Sequence, residues 1–166
     1  MRGVLHLNED LSRHTSWRVG GAADRYYEPA DREDLLQFIR ALPDSEPVLW
    51  LGLGSNLLVR DAGFRGTVLA LHGALDDLRL EDDLYAEAGV HCARLAKFAH
   101  TKKKAALGFM AGIPGTVGGA LAMNAGAWGG ETWPQVSEVE IVYRGGAAAW
   151  LPPSAFHYAY RHVETP

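Results

Sequence analysis

The chain has 166 residues, 48% hydrophobic and 22% charged, a composition that predicts one soluble globular domain, or two small ones sharing a core. Its formal net charge of −4 argues against phosphate-backbone binding, so no nucleic-acid partner is expected, and no run approaches the roughly 20 apolar residues that span a bilayer. A single cysteine, Cys92, excludes an intrachain disulfide, and the first residues, with Glu9 and Asp10, hold no apolar core of signal-peptide length; both features predict a cytoplasmic protein.

In chain order, His14 to Ala23 (HTSWRVGGAA) ends in small residues and leads into a short strand, Asp24 to Glu28, stopped by Pro29. Gly20-Gly21 reads equally as an ordinary turn and as a turn near a ligand. A helix is predicted from Asp31 to Leu42. Asp31 can cap it, Glu33 and Asp34 suit its first turn, and Leu35, Leu36, Phe38, Ile39 and Leu42 share one face. Val48 to Leu51 is a buried strand that runs into Gly52-Leu53-Gly54-Ser55-Asn56-Leu57. This is neither a Rossmann fingerprint nor a Walker loop, because the third glycine, the following helix and the Gly-Lys-Ser/Thr ending are all missing. It is a tight turn whose backbone N–H groups, with Ser55 and Asn56, can hold a phosphate without any Lys or Arg.

A strand at Thr67 to Leu71 follows a turn at Asp61 to Gly66, and a second half begins with the alternating strand Leu84 to Ala88. Val90 to Lys103 reads as a helix with Leu95, Phe98 and Ala99 inward and Lys102-Lys103-Lys104 as its solvated end. His91 and His100 lie on it without metal-ligand spacing, so no metal is expected, and Cys92 reads as a buried structural thiol. Next comes GIPGTVGGALAMNAGA, Gly112 to Ala127, glycine-rich yet apolar between its glycines. Pro114 suits a first helical position. Two readings stay open: a turn opening a short helix whose free N–H groups face an anion, and a close helix–sheet crossing with no ligand. After an aromatic-rich turn at Trp128 to Pro134, a hairpin is predicted from Val136 to Leu151 with its turn at Arg144-Gly145-Gly146. A turn or short helix at Pro152-Pro153-Ser154 precedes Phe156 to His162.

Two separate loops rich in backbone N–H groups, with almost no basic side chains, suit a buried pyrophosphate, and a dinucleotide better than a mononucleotide. The helix-per-strand alternation of a Rossmann sheet is absent. The fold expected from the residues is therefore α+β, two small sheet-and-helix lobes with the cofactor between them, divided as residues 1–72 and 73–166.

Four pieces, HTSWRVGGAA, LGLGSNLLVRDAGFRG, AGIPGTVGGALAMNAGAWGGE and FHYAYRHVE, resemble in sequence and order the FAD-binding part of the MurB family of UDP-N-acetylenolpyruvoylglucosamine reductases. The resemblance covers nearly the whole chain, and its third and fourth pieces are the specific ones. It implies the two-lobed FAD-binding fold of the vanillyl-alcohol-oxidase (PCMH) type. It implies that NADPH reduces FAD and that the flavin passes hydride to the enolpyruvyl group of a UDP-sugar, giving UDP-N-acetylmuramate for peptidoglycan. By motif position, Gly52, Gly54, Ser55, Asn56 and Leu57 would hold the FAD diphosphate region. Ile113, Gly115, Thr116, Val117, Gly118, Gly119, Asn124 and Gly126 would line the rest of the cofactor. Arg161 matches the family's active-site arginine, and Tyr160 and Tyr158 could pack on cofactor or substrate. A fixed guanidinium can stabilise the enolate-like charge that hydride addition creates.

Set against the family, the 166 residues are expected not to include the further domain that binds the UDP-sugar and supplies a serine proton donor and a later glutamate; Ser154 and Glu164 do not match those positions. The expectation is a cofactor half that binds FAD and does not complete substrate reduction alone. Two alternatives remain: another FAD enzyme of the superfamily, disfavoured by the GIPGTVGG and Tyr-Arg motifs, and a non-catalytic domain that binds a partner through Trp128 and Trp133.

Overall fold

Chain order places two strands, β1 (Val4–Asp10) and β2 (Ala22–Glu28), ahead of the predicted first helix, which forms as α1 (Arg32–Ala41). Asp31 caps α1, its Oδ1 accepting from Asp34 N at 2.9 Å, and Leu35, Leu36, Phe38 and Ile39 are buried. Phe38 stacks on Tyr27 with ring centroids 3.7 Å apart. Asp34 does more than complement the helix dipole. It is fully buried and accepts from Gly3 N (2.9 Å), Ala30 N (3.0 Å), the Tyr27 hydroxyl (2.5 Å) and Arg2 N. Burial pushes its carboxyl up, but the bonds from Tyr27, Arg2, Ala30 and Gly3 outweigh that and hold it well below the usual carboxylate range.

The computed structural model describes residues 1–166, and these divide into two units: residues 1–75 with 142–147, and residues 76–141 with 148–166. The first unit adds β3 (Val48–Leu51) and β4 (Phe64–Ala70) to give a sheet of order β1-β2-β4-β3. β1 is antiparallel to β2, while β4 runs parallel to both β2 and β3. Beneath it lies a core of Leu11, Ala23, Tyr26, Leu51, Val68 and Ala70. β1 has no counterpart among the predicted strands. Its alternation is blurred because Val4, Leu5 and Leu7 are all exposed, and Asn8 interrupts it with φ 54°.

In the second unit, β5 (Leu78–Leu80) and β6 (Leu84–Ala86) form a hairpin, followed by α2 (Cys92–Thr101). The strand and helix are both shorter than predicted. An unpredicted 3-10 segment covers Ala105–Gly112, and α3 spans Val117–Ala122. Pro114 is not its first residue: Thr116 is the cap, its Oγ1 accepting from Gly119 N at 3.4 Å. The core gathers Val90, Cys92, Leu95, Phe109, Met110 and Val117 among others. Burial pushes the Cys92 thiol up to about 11, as befits a structural thiol.

Three short antiparallel pairs complete the chain: β7 (Gly126–Ala127) with β8 (Gly130–Glu131), β9 (Val139–Val142) with β10 (Ala148–Leu151), and β11 (His157–Ala159) with β12 (His162–Glu164). The β9–β10 turn belongs to the first unit. There Arg144 Nη1 donates to Asp44 O and Glu46 O at 2.8 and 2.7 Å. No helix is long and apolar enough to cross a membrane.

Candidate cofactor site

The loop after β3 is fixed at both ends by apolar residues: Leu51 lies in the core, and Leu57 and Val59 pack against it. Between them the chain turns through Gly54, buried at φ 64°. A Cβ there would lie 2.0 Å from His14 O and 2.9 Å from Thr15 Cα, and Ser16 N donates to Gly54 O at 3.1 Å. So Gly54 is glycine because the His14–Ser16 backbone passes against it. Gly20 and Gly21 answer to the same cause. A Cβ on Gly20 would meet Val59 Cβ at 2.7 Å, and one on Gly21 would meet Asp61 O at 2.1 Å.

The first sequence motif is thus the bed on which the glycine loop lies. His14 is itself held by Glu9 Oε1 at 2.8 Å and the Tyr26 hydroxyl at 3.1 Å. Above this bed the chain closes a tight turn at Ser55–Asn56. Ser55 is half-buried and Asn56 exposed. Successive backbone N–H groups in such a turn make a concave anion seat that needs no basic side chain.

The Ile113–Gly119 stretch, in the second unit, is built differently. Gly115 O accepts from Cys92 N at 2.9 Å, Val117 N donates to Val90 O at 2.8 Å, and Gly118 N donates to Ala88 O at 2.9 Å. The start of α3 is therefore stitched to the segment ahead of α2, and the open N–H groups expected there are already engaged. Ile113 and Val117 are buried in the core, and Thr116 is buried as the cap. Gly118 is glycine because a Cβ would press on Ala88. Gly119 is different: it is exposed, and a Cβ would meet only Thr116 Oγ1, at an ordinary 3.6 Å. A helical glycine costs roughly 1 kcal/mol against alanine, and no chain atom requires this one. It leaves a bare helix face of the kind a flat ligand can approach.

Asn124 ends α3 at φ 40°. Its backbone N donates to Leu121 O (3.3 Å), and Ala125 N donates to Ala120 O (2.9 Å), the paired bonds of a Schellman cap with Asn in the left-handed position. Its side chain is buried and fully engaged, bonding Glu131, Trp133 and Ala159. Gly126 faces β8 closely, a Cβ there falling 2.5 Å from Gly130 O. Tyr160 and Arg161 are the two turn residues between β11 and β12, since Ala159 pairs with His162. Both are exposed, and Arg161 carries φ 52°.

The second unit thus brings Asn124, Gly126 and the Tyr160–Arg161 turn together, while Gly52 to Leu57 belong to the first unit. Sequence reasoning missed Glu131 and Ser16. Glu131 lies just past the Trp128-Gly129 turn that folds it back on Asn124, the spacing by which it could have been found.

A family model described as FAD binding domain matches residues 23–151. The chain belongs to that family. This FAD-binding domain is 53% identical to the UDP-N-acetylenolpyruvoylglucosamine reductase of Methylococcus capsulatus over 99% of the chain and 55% of that protein. The protein of that name from Alkalilimnicola ehrlichii gives the same identity and the same shares. The solved UDP-N-acetylenolpyruvylglucosamine reductase (MurB) of Thermus caldophilus is 32% identical, with a TM-score of 0.78 over 100% of this chain and 58% of that one.

The FAD-binding domain therefore has the expected PCMH-type fold, and it spans about half the length of the relatives it matches. Its residues fit FAD on their own evidence. The glycine turn at Gly52–Leu57 suits a diphosphate by its run of backbone N–H groups, and the bare face at Gly119 suits close approach by a flat group.

Proposed function

We propose that the chain is the FAD-binding part of a UDP-N-acetylenolpyruvoylglucosamine reductase, with residues 1–72 and 73–166 as its two cofactor lobes. The reading rests on one observation above others: 53% identity to reductases of that name runs through 99% of the chain. The reaction is NADPH-dependent reduction of the enolpyruvyl group of a UDP-sugar, a cytoplasmic step toward peptidoglycan. FAD, when bound, supplies the carrier that takes up hydride from one substrate and delivers it to the other.

The chain's own residues do the rest. The Gly52–Leu57 loop offers N–H groups to the diphosphate, with Ser55 and Asn56 as short polar neighbours. Gly119 leaves the start of α3 bare, while Ile113, Gly115, Thr116, Val117, Gly118 and Gly126 shape the backbone around it. Arg161 meets the charge that develops beside the substrate carboxylate, a role worth roughly 3–4 kcal/mol of barrier. Tyr160, beside it on the turn, contacts the substrate.

The test starts with the visible spectrum and an FAD titration of the 166-residue protein. It continues with Arg161→Lys in a chain completed to the relatives' length. Shifted flavin bands in both proteins are expected, with turnover of the UDP-sugar lowered about 10²–10³-fold in the variant and its flavin spectrum kept. Absence of flavin binding in both proteins, or unaltered turnover in the variant, would overturn the reading.

A further inference from the structure

We infer that Asn124 is a positioning residue that holds the Tyr160–Arg161 turn through the Ala159 carbonyl, and is not a ligand of the cofactor. This rests on the proposed function only in giving Arg161 its chemical task; the hold on the turn stands without it.

A carboxamide has two donor hydrogens and one acceptor oxygen. Here Nδ2 donates to Glu131 Oε2 at 3.0 Å and to Ala159 O at 3.3 Å, and Oδ1 accepts from Trp133 N at 3.2 Å. Both hydrogens are taken within the unit, and the side chain is buried. Nothing is left for Asn124 to donate to a flavin.

The backbone explains an αL residue at this place but not an asparagine. Glycine meets the Schellman requirement without strain, so the side chain is present for what it holds. It holds the root of a turn. Ala159 is the last residue of β11, and Tyr160 and Arg161 follow at once. Trp133, whose backbone the same carboxamide fixes, stacks on Tyr158 at 5.3 Å and packs on Phe156 at 4.6 Å. One buried amide therefore seats the hairpin both by its backbone and, through Trp133, by its aromatic side chains. Arg161 needs such a seat, because a non-glycine residue at φ 52° persists only where its surroundings hold it.

Asn124→Gly preserves the helix cap and removes only the carboxamide. On the 166-residue protein, amide hydrogen exchange across residues 157–164 and the rate of tryptic cleavage after Arg161 are compared with wild type, beside an FAD titration. Both hairpin rates are expected to rise about tenfold, the weight of one or two lost hydrogen bonds. Exchange in α2 should be unchanged, and FAD affinity should stay within about twofold. Unchanged hairpin rates would overturn the inference, whatever happens to FAD affinity. Failure of the wild type to bind FAD would count against the cofactor reading alone.

A second pair guards against misfolding. Asn124→Asp combined with Glu131→Gln restores a 124–131 hydrogen bond and still accepts from Trp133 N, but cannot donate to Ala159 O. The hairpin should stay loosened in this double variant. Full recovery of its protection would show that the Ala159 contact carries nothing, and would also overturn the inference.

Discussion

Replacing Gly54 by alanine should destabilise the first unit far more than the same change at Gly73, although both glycines have φ between 60° and 80°. The left-handed backbone costs a non-glycine residue roughly 1–2 kcal/mol, and that part is common to both sites. Around Gly73 a Cβ meets nothing within 4 Å, so the cost stops there. At Gly54 the Cβ would sit 2.0 Å from His14 O and 2.9 Å from Thr15 Cα. Those are backbone atoms and cannot rotate away. Overpacking of this kind adds about 1–3 kcal/mol, and losing the 3.1 Å bond from Ser16 N to Gly54 O adds about 1 kcal/mol more. The difference between the two variants is then roughly 2–4 kcal/mol. With a urea slope of about 1–3 kcal/mol per molar, it should separate their midpoints by about 0.7 M or more. Equal midpoints in urea denaturation, with FAD binding lost only in Gly54→Ala, would refute the reasoning: Gly54 would then be glycine for the ligand and not for the chain.

Asp34 and Cys92 give two further tests. The Asp34 carboxyl lies below its ordinary value near 3.9 in the folded chain, so the unfolded chain takes up the proton first. Its stabilisation is complete above about pH 4 and drains away as pH falls below that. Asp34→Asn should cost about 1–3 kcal/mol at pH 7 and flatten this acid dependence in a pH series of urea melts; parallel pH profiles would contradict it. Cys92, buried with its thiol raised to about 11, should resist a thiol reagent at pH 8 and react fully once denaturant is added. Labelling of the folded protein at the rate of a free thiol would be the contrary result.

Where a signal was local, the sequence carried it. Asp31 and the 35–39 apolar face announced α1, and Val48 to Leu51 followed by glycines announced β3 and its loop. The 139–151 hairpin was legible from its alternation and its Arg144-Gly145-Gly146 turn. Distant partners were not legible. The N–H groups at the start of α3 are taken by Val90 O and Ala88 O, which no reading of GIPGTVGG alone can supply. Ala105–Gly112 lacks a 3.6-residue periodic face because it is a 3-10 segment, which buries only the adjacent Phe109 and Met110. Asn124 sits in a glycine-rich motif and so was read with the cofactor residues, although an Asn just past a short helix is also the mark of a left-handed cap.

The order β1-β2-β4-β3 has a consequence for how the first unit is made. α1 carries the chain from β2 to β3, and these strands leave a gap that only β4 fills. During synthesis the sheet cannot close until Ala70 has emerged, since β2 and β3 have no hydrogen bonds to each other. The turn at 142–147 arrives later still, after the strands and helices of residues 76–141 have been made. The residues of the first unit are therefore complete only after most of the second has been synthesised. Contacts of such long sequence separation are reached slowly, and β2 and β3 keep open edges in the meantime. A nascent chain stalled before Ala70 would present those edges to any neighbour, and unpaired strand edges are where aggregation starts.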